Sequence, residues 1–135
     1  MGKLSLKERI IYRFIFNEKR VYRHRYGRFL VAGIDFGRIW RVIPRIKKFY
    51  GWCAEWSEEG EMLQKLAEEA LFEGNICSAR CLFHEAAACF HIGQHIYFLD
   101  IERKNEAQER ARENYKRAIE LYDEAESPIR IEIPF

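Results

Sequence analysis

Several features are missing from this sequence, and each absence excludes a class of protein. No apolar run approaches the length that crosses a membrane, so no membrane partner is expected. No Gly-x-Ser-x-Gly segment occurs, so the chain lacks the nucleophile elbow of a hydrolase and is not expected to be an enzyme. No Cys-x-x-Cys pair occurs, which removes a common zinc-binding signature. No low-complexity stretch or long linker divides the chain.

A secretory leader is also missing from the first residues, which are polar and helical in pattern. Four cysteines follow, and three of them fall within one expected helix, where disulfide geometry is hard to reach. The cysteines are Cys53, Cys77, Cys81 and Cys89. We therefore expect reduced thiols and a cytoplasmic location.

The residues that are present suit one helical domain. Apolar residues make up 48% and aromatic residues 15% of the 135 positions, enough for a single core. Charged residues reach 33%, and threonine is absent altogether. This composition favours helices and is common in heat-adapted proteins.

Charge is distributed unevenly between the two halves. Residues 1–50 contain 14 Lys/Arg and 3 Asp/Glu, whereas residues 51–135 contain 9 and 18. We expect the two halves to face each other, within one chain or across a dimer. An Arg-rich run with interleaved aromatics, from Arg20 to Phe29, is the alternative signal for nucleic acid. The acidic half would repel phosphate, so nucleic-acid binding is not the favoured interpretation.

Apolar periodicity predicts an all-α fold of four to five helices, packed as antiparallel hairpins and followed by an extended tail. The expected helices cover about 4–17, 37–50, 52–73, 76–98 and 103–125. Residues 18–34 are expected to hold a short helix and a turn. Asp35 is the expected N-cap of the second helix, and Pro44 is expected to bend or split it.

The chain is treated as one domain, 1–135, with a basic helical part (1–50), a hairpin core (51–126) and a tail (127–135). Residues 129–133 alternate apolar and polar side chains, as a strand does. A single strand leaves its backbone groups unpaired, so this one is expected to need another chain or a further domain.

A small-aromatic-small pattern recurs on two of the expected helices, at an offset of about 32 residues. The matching positions are Ala79, Phe83 and Ala86 in the first copy and Ala111, Tyr115 and Ala118 in the second. Small residues let a neighbouring helix approach, and the aromatic is expected to fill the groove between them; Phe90 extends the first face. With the Gly74-Asn75 stop signal between helices, this layout resembles a tetratricopeptide hairpin, and a free-standing interaction module is one alternative function.

A second resemblance covers roughly residues 28–135. It depends on Gly33-Ile34-Asp35-Phe36-Gly37, Trp52-x-x-x-Trp56, Ser78-Ala79-Arg80, and the tail from Ser127 to Phe135. In order and spacing these segments resemble the N-terminal helical region of α/β-hydrolases related to 2,6-dihydroxypseudooxynicotine hydrolase.

That resemblance implies a helical region that packs over a catalytic core, helps to shape the substrate cavity and contributes dimer contacts. The family's catalytic triad lies in the core, so its roles transfer to no residue of this chain. The chain is then a non-catalytic cap and dimerisation domain without a cofactor. Its expected partners are a second copy of itself and, alternatively, a separate hydrolase core.

One stripe of the fourth expected helix could carry chemistry. Its members fall within about 80° of arc and face away from Phe83 and Phe90. They are Cys77, Cys81, His84, Ala88, His91 and His95. Thiolate and imidazole are zinc ligands, so a metal site is one interpretation, with Cys53 and His24 as the other candidate ligands. The favoured interpretation is a semi-polar interface or cavity lining made by Cys81, His84, His91 and His95 together with Trp52 and Trp56.

Three further groups have structural interpretations. Trp52 and Trp56 are expected core anchors, with ligand stacking as the alternative. A glutamate-rich face of the third expected helix is expected to be solvated; its members are Glu58, Glu59, Glu61, Glu68 and Glu69. Residues 103–117 mix both signs and are expected to form an exposed face supported by i, i+4 pairs.

Overall fold

The computed structural model describes Ile10, residues 26–123, Pro128, Ile129 and Ile131. Residues 26–123 contain five α-helices and two short 3₁₀ turns, at Ile43–Arg45 and Phe49–Gly51. The helices are α1 (Tyr26–Val31), α2 (Phe36–Val42), α3 (Trp52–Phe72), α4 (Ile76–Gln94) and α5 (Ile101–Glu120). The predicted all-α fold is confirmed.

The predictions for the two ends of the chain fall mostly outside the described residues. Of the expected helix 4–17 only Ile10 is described, and it is helical. Of the expected strand 129–133 only Ile129 and Ile131 are described; neither lies in a strand, and both are exposed.

Local sequence signals set the start and end of α2. The Asp35 carboxylate accepts a hydrogen bond of 2.8 Å from the Gly37 amide, which confirms the predicted N-cap. The helix does not continue to residue 50, and the predicted break at Pro44 is confirmed. Pro44 cannot donate a backbone hydrogen bond, and the chain passes into the 3₁₀ turn Ile43–Arg45 immediately after Val42.

The three long helices form two consecutive antiparallel hairpins, α3–α4 and α4–α5. Gly74 ends the first hairpin's turn at a φ of +78°, a conformation that favours glycine. The second turn comes earlier than predicted, because His95 is extended and Ile96 adopts a φ of 59°. Asp100 then caps α5 by accepting from the Arg103 amide at 3.0 Å, so this helix begins two residues before its predicted start.

The core lies between α3 and α4 and is closed by the segments before and after them. Trp52 and Trp56 are 2% and 0% exposed, which confirms that they anchor the core. Phe29 of α1 packs against both indoles, with ring centroids 6.1 and 5.5 Å away. At Gly60 an added Cβ would lie 2.9 Å from the Phe90 ring, so α3 and α4 approach closely there.

The two copies of the small-aromatic-small pattern do not pack alike. Ala79, Phe83 and Ala86 are fully buried as predicted. The prediction that Tyr115 fills an interhelical groove is wrong, because this side chain is 52% exposed. The core face of α5 includes the buried Asn114 instead, whose amide donates to Gln64 at 3.0 Å. Ala118 is buried and Ala111 is half-buried.

Ion pairs join the basic and acidic halves within one chain. This is one of the two arrangements that the charge distribution predicted, the other being contact across a dimer. Arg38 contacts both Glu59 and Glu85, and Arg41 also contacts Glu59. Arg45 lies 2.9 Å from Glu55 and 3.7 Å from Glu59. The prediction that Glu59 is solvated is therefore wrong: its side chain is 1% exposed, because three guanidinium groups converge on it. The other four glutamates of that face are exposed.

The face of α5 that was expected to be exposed also contacts another helix. Arg110 reaches α3, where it contacts Glu61 at 3.2 Å, and its guanidinium lies over the Phe90 ring. Arg117 contacts Glu68 at 2.6 Å and covers Phe83. These arginines therefore join α5 to α3 and cover the aromatic core, which i, i+4 spacing along one helix does not predict.

Candidate functional sites

The Cys/His stripe of α4 is divided between two surface clefts on the same side of the helix. One, called the histidine cleft, has a volume of about 140 Å³. It is lined by Arg28, Phe29, Ala32, Trp52, His91, Ile92 and His95. Three of the predicted interface or cavity residues, Trp52, His91 and His95, are thus brought together.

Aromatic and aliphatic groups form one wall of the histidine cleft. Trp52 is held in place by a 2.9 Å hydrogen bond from its indole nitrogen to the Ile92 carbonyl. Phe29 packs against it from α1. Both rings also belong to the main core.

A chain of hydrogen bonds orients the imidazole of His91. Lys104 donates to the Gln94 side-chain oxygen at 2.9 Å, which leaves the amide nitrogen of Gln94 facing His91 Nδ1 at 3.3 Å. An amide nitrogen only donates, so Nδ1 must accept, and the neutral ring carries its proton on Nε2. The His91 and His95 rings stack with centroids 5.9 Å apart.

The second cleft, called the apolar groove, is wider and shallower, with a volume of about 760 Å³. The α1–α2 connection forms one side, and α4 forms the other. It is lined by residues 30–36 together with Cys81, His84 and Glu85. Two more of the predicted interface residues, Cys81 and His84, are therefore neighbours at this groove and lie outside the histidine cleft.

His84 is tied to the end of α5 and faces aromatic rings. Its Nε2 lies 3.3 Å from the Tyr122 hydroxyl, and its ring meets Tyr115 and Tyr122 edge-on. Burial, and secondarily the positive charge of Arg80, lowers the pKa of His84 below its ordinary value. The neutral ring is therefore the favoured form in the folded protein.

Beside the apolar groove lies a set of exposed apolar side chains, called the apolar patch: Leu30, Val31, Phe36 and Trp40. Val31 is 91% exposed and Trp40 is 65% exposed. Phe36 and Trp40 contact each other edge-on at 6.0 Å. Sequence periodicity missed this patch, because α1 and α2 are each too short to show a helical repeat.

A third cleft of about 220 Å³ lies between α3 and α5. Phe90 and two alanines form its floor, and charged side chains from both helices form its walls; the charged residues are Glu58, Glu61, Arg103, Glu106 and Arg110. Sequence patterns do not predict this cleft, because its charged side chains belong to helix faces that were expected to be solvated.

The predicted metal ligands do not form a site in the described residues. No group of three or more potential ligands there is arranged to hold a metal ion. Cys77 and Cys81 are exposed, whereas Cys53 is buried with its thiol near Ser57 and the Arg103 carbonyl. Burial raises the pKa of the Cys53 thiol, which disfavours the thiolate that a metal needs. His24, the other candidate ligand, lies outside the described residues.

Trp56 is 0% exposed, so it is a core residue and lines none of the three clefts.

No helix in the described part of the chain combines the length and apolar character needed to cross a membrane. Comparison with known protein families, curated proteins and solved structures finds no match to this chain.

Proposed function

We propose that this chain is a non-catalytic helical domain that associates with a second copy of itself through the apolar patch. The observation that carries the proposal is the exposure of four neighbouring apolar side chains on α1 and α2. Val31, Trp40, Phe36 and Leu30 are 91%, 65%, 51% and 47% exposed. Together they present on the order of 500 Å² of apolar surface, at the upper end of what monomeric proteins leave open.

A second copy suits this surface because the patch and the apolar groove adjoin each other. The wall of the groove includes Leu30, Val31 and Phe36, which are also patch residues. In a twofold dimer the same surface lies on both partners, so the raised patch of one copy can enter the groove of the other. A standard interface buries about 800 Å² per partner, and the patch alone supplies more than half of that area.

Contacts with α3 and α4 hold the two helices that carry the patch in place. Phe29, whose ring packs on Trp52 and Trp56, fixes α1 against α3. Arg38 of α2 contacts Glu59 of α3 and Glu85 of α4. The interface is therefore largely formed before association, which lowers the entropic cost of binding.

A separate α/β-hydrolase core is the second candidate partner, and the resemblance supports it. Trp52 and Trp56, two of the residues behind that resemblance, form with Phe29 the aromatic cluster that positions α1. In this setting the apolar patch would cover the core, which supplies all of the catalytic groups.

Mass measurement in solution distinguishes these partners. We expect the wild-type chain to be a dimer by multi-angle light scattering at tens of micromolar. The double variant Val31→Glu/Trp40→Glu should be a folded monomer, because a buried unpaired carboxylate is strongly unfavourable. Phe72→Glu is the matched control: Phe72 is 94% exposed at the far end of α3 and should leave the dimer intact.

A monomeric wild-type chain at 100 µM, or a double variant that still dimerises, would overturn the proposal. The hydrolase alternative is tested by examining the adjacent reading frame for Gly-x-Ser-x-Gly and by titrating the encoded core into the chain. A complex lost in the double variant would assign the patch to that core. The chain alone should show no hydrolysis of p-nitrophenyl acetate above background, and turnover abolished by a point change would contradict its non-catalytic role.

A further inference from the structure

We infer that the histidine cleft binds a small organic anion, a short carboxylate with an apolar body. This inference concerns a different surface from the apolar patch and does not depend on dimerisation. The size of the cleft, its Arg28 and His91 lining and the apolar side chains beside them support it.

The volume of the cleft sets the size of the ligand. Its 140 Å³ equals the liquid volume of about five waters, enough for roughly five to nine non-hydrogen atoms. Phe29, Trp52 and Ile92 provide an apolar wall. A flat or short aliphatic group fits there, whereas a nucleotide or a peptide does not.

The polar groups of the cleft favour an anion. Arg28 lies at its edge, with an exposed guanidinium and no acidic partner among the described residues. The His91 ring presents its Nε2 proton, since the Gln94 amide occupies Nδ1. No acidic side chain belongs to the described lining of the cleft.

Two backbone carbonyl groups at the end of α4 already accept hydrogen bonds from side chains. The Ile92 carbonyl accepts from Trp52, and the Gln94 carbonyl accepts from Lys104 at 3.0 Å. The cleft is therefore lined by the Arg28 cation and the His91 ring together with apolar side chains, a combination that suits a carboxylate with a short hydrocarbon body.

The same hydrogen bonds argue against a transition metal at this histidine pair. A metal would need the lone pair of His91 Nε2, and the proton displaced to Nδ1 would then face the Gln94 amide hydrogens. Lys104 holds the amide in the orientation that causes this conflict. Metal binding is thus a distinguishable outcome of the test.

The experiment is a titration of the purified chain with benzoate, followed by tryptophan fluorescence and isothermal calorimetry. We expect saturable binding with a Kd of about 1 mM, a realistic affinity for nine non-hydrogen atoms. The neutral isostere benzamide should bind at least about tenfold more weakly, since it lacks the charge that the donors recognise.

Three variants locate the site. His91→Gln and Arg28→Gln should each weaken benzoate binding about tenfold, the lower range for a hydrogen bond to a charged group. Ala32→Leu retains both donors and fills the cleft, so it should abolish binding. Arg112→Gln, which removes an equal charge from an exposed position on α5, should leave the Kd unchanged.

Four results would each overturn the inference. They are equal affinity for benzoate and benzamide, no saturation by 10 mM benzoate, an unchanged Kd in the three cleft variants, and Zn²⁺ binding by the wild type that His91→Gln removes. The far-UV circular dichroism of each variant establishes that it is folded. Ala32 also lines the apolar groove, so the mass of Ala32→Leu is measured as well. Arg28 and His91 lie outside that groove, so the two proposals can fail independently.

Discussion

Replacing Glu59 with glutamine tests the ion-pair network that joins the basic and acidic halves. The side chain is 1% exposed and contacts Arg38, Arg41 and Arg45. The change keeps the shape of the side chain but removes its charge, so three guanidinium groups lose a shared partner. Breaking a fully buried pair costs about 3–5 kcal/mol.

The expected loss for Glu59→Gln is smaller than that figure. Arg38 keeps its contact with Glu85, and Arg45 keeps Glu55. The Arg41 side chain is 49% exposed and can be hydrated. We therefore expect the free energy of unfolding to fall by about 2–3 kcal/mol, below the full cost of a buried charge without a partner.

Urea denaturation measures this loss. With an m-value of about 1–3 kcal/mol/M, the midpoint should fall by roughly 1–2 M while m stays constant. Glu58→Gln is the control, because its neighbouring carboxylate is exposed and surface changes are usually within about 0.5 kcal/mol. The difference between the variants should persist in 0.5 M NaCl, since buried pairs are screened less than exposed ones.

A Glu59→Gln midpoint indistinguishable from that of Glu58→Gln would refute this reasoning. It would mean that the carboxylate is hydrated in solution and that the three arginines do not depend on it. A difference that disappears in salt would also contradict the burial of the network.

Two further predictions concern close packing and pH. Gly60→Ala should lower the free energy of unfolding by about 1–2 kcal/mol despite its better helix propensity, because its Cβ would meet the buried Phe90 ring. Gly51→Ala is the control in thermal denaturation, because a Cβ added at Gly51 would meet no other atom within 4 Å. Equal losses of stability in the two variants would contradict the close approach of α3 and α4 at Gly60. Because the folded-state pKa of His84 is lowered by burial and by Arg80, the unfolded chain binds more protons, so stability should fall as pH drops below about 6.5. His84→Gln should flatten that part of the pH profile, and an unchanged profile would exclude this histidine as its cause.

Much of the helical framework was predictable because its signals are local. Asp35 is followed by a helix that needs an N-terminal acceptor, and Gly74 supplies the left-handed turn that ends α3. Phe83 and Ala86 are three residues apart, a spacing that places both side chains on one face of a helix but on opposite faces of a strand. These residues act within a few positions of each other, so the sequence alone was enough to place them.

The errors concern side chains whose environment depends on distant helices. Glu59 belongs to a glutamate-rich segment and was expected to be hydrated, but α2 brings Arg38 and Arg41 to it. Tyr115 has the spacing of a core residue, yet α5 turns Asn114 inward instead. Neither outcome follows from periodicity, because each depends on how two helices meet.

The candidate sites show the same division. The sequence determined that Cys81, His84 and His91 share one stripe of α4, since helical geometry alone places them there. His95, predicted to continue that stripe, follows the end of α4 in an extended conformation. Only the tertiary structure decided that His91 and His95 join Arg28 and Trp52, while His84 joins a separate groove.

Helix formation depends on hydrogen bonds and side-chain spacing within one segment, so composition, caps and periodicity determined an all-α chain with a Cys/His stripe. The burial of Glu59 and the orientation of Gln94 toward His91 depend on contacts between residues 10 to 21 positions apart. Packing between helices sets those contacts, and a local pattern does not encode it.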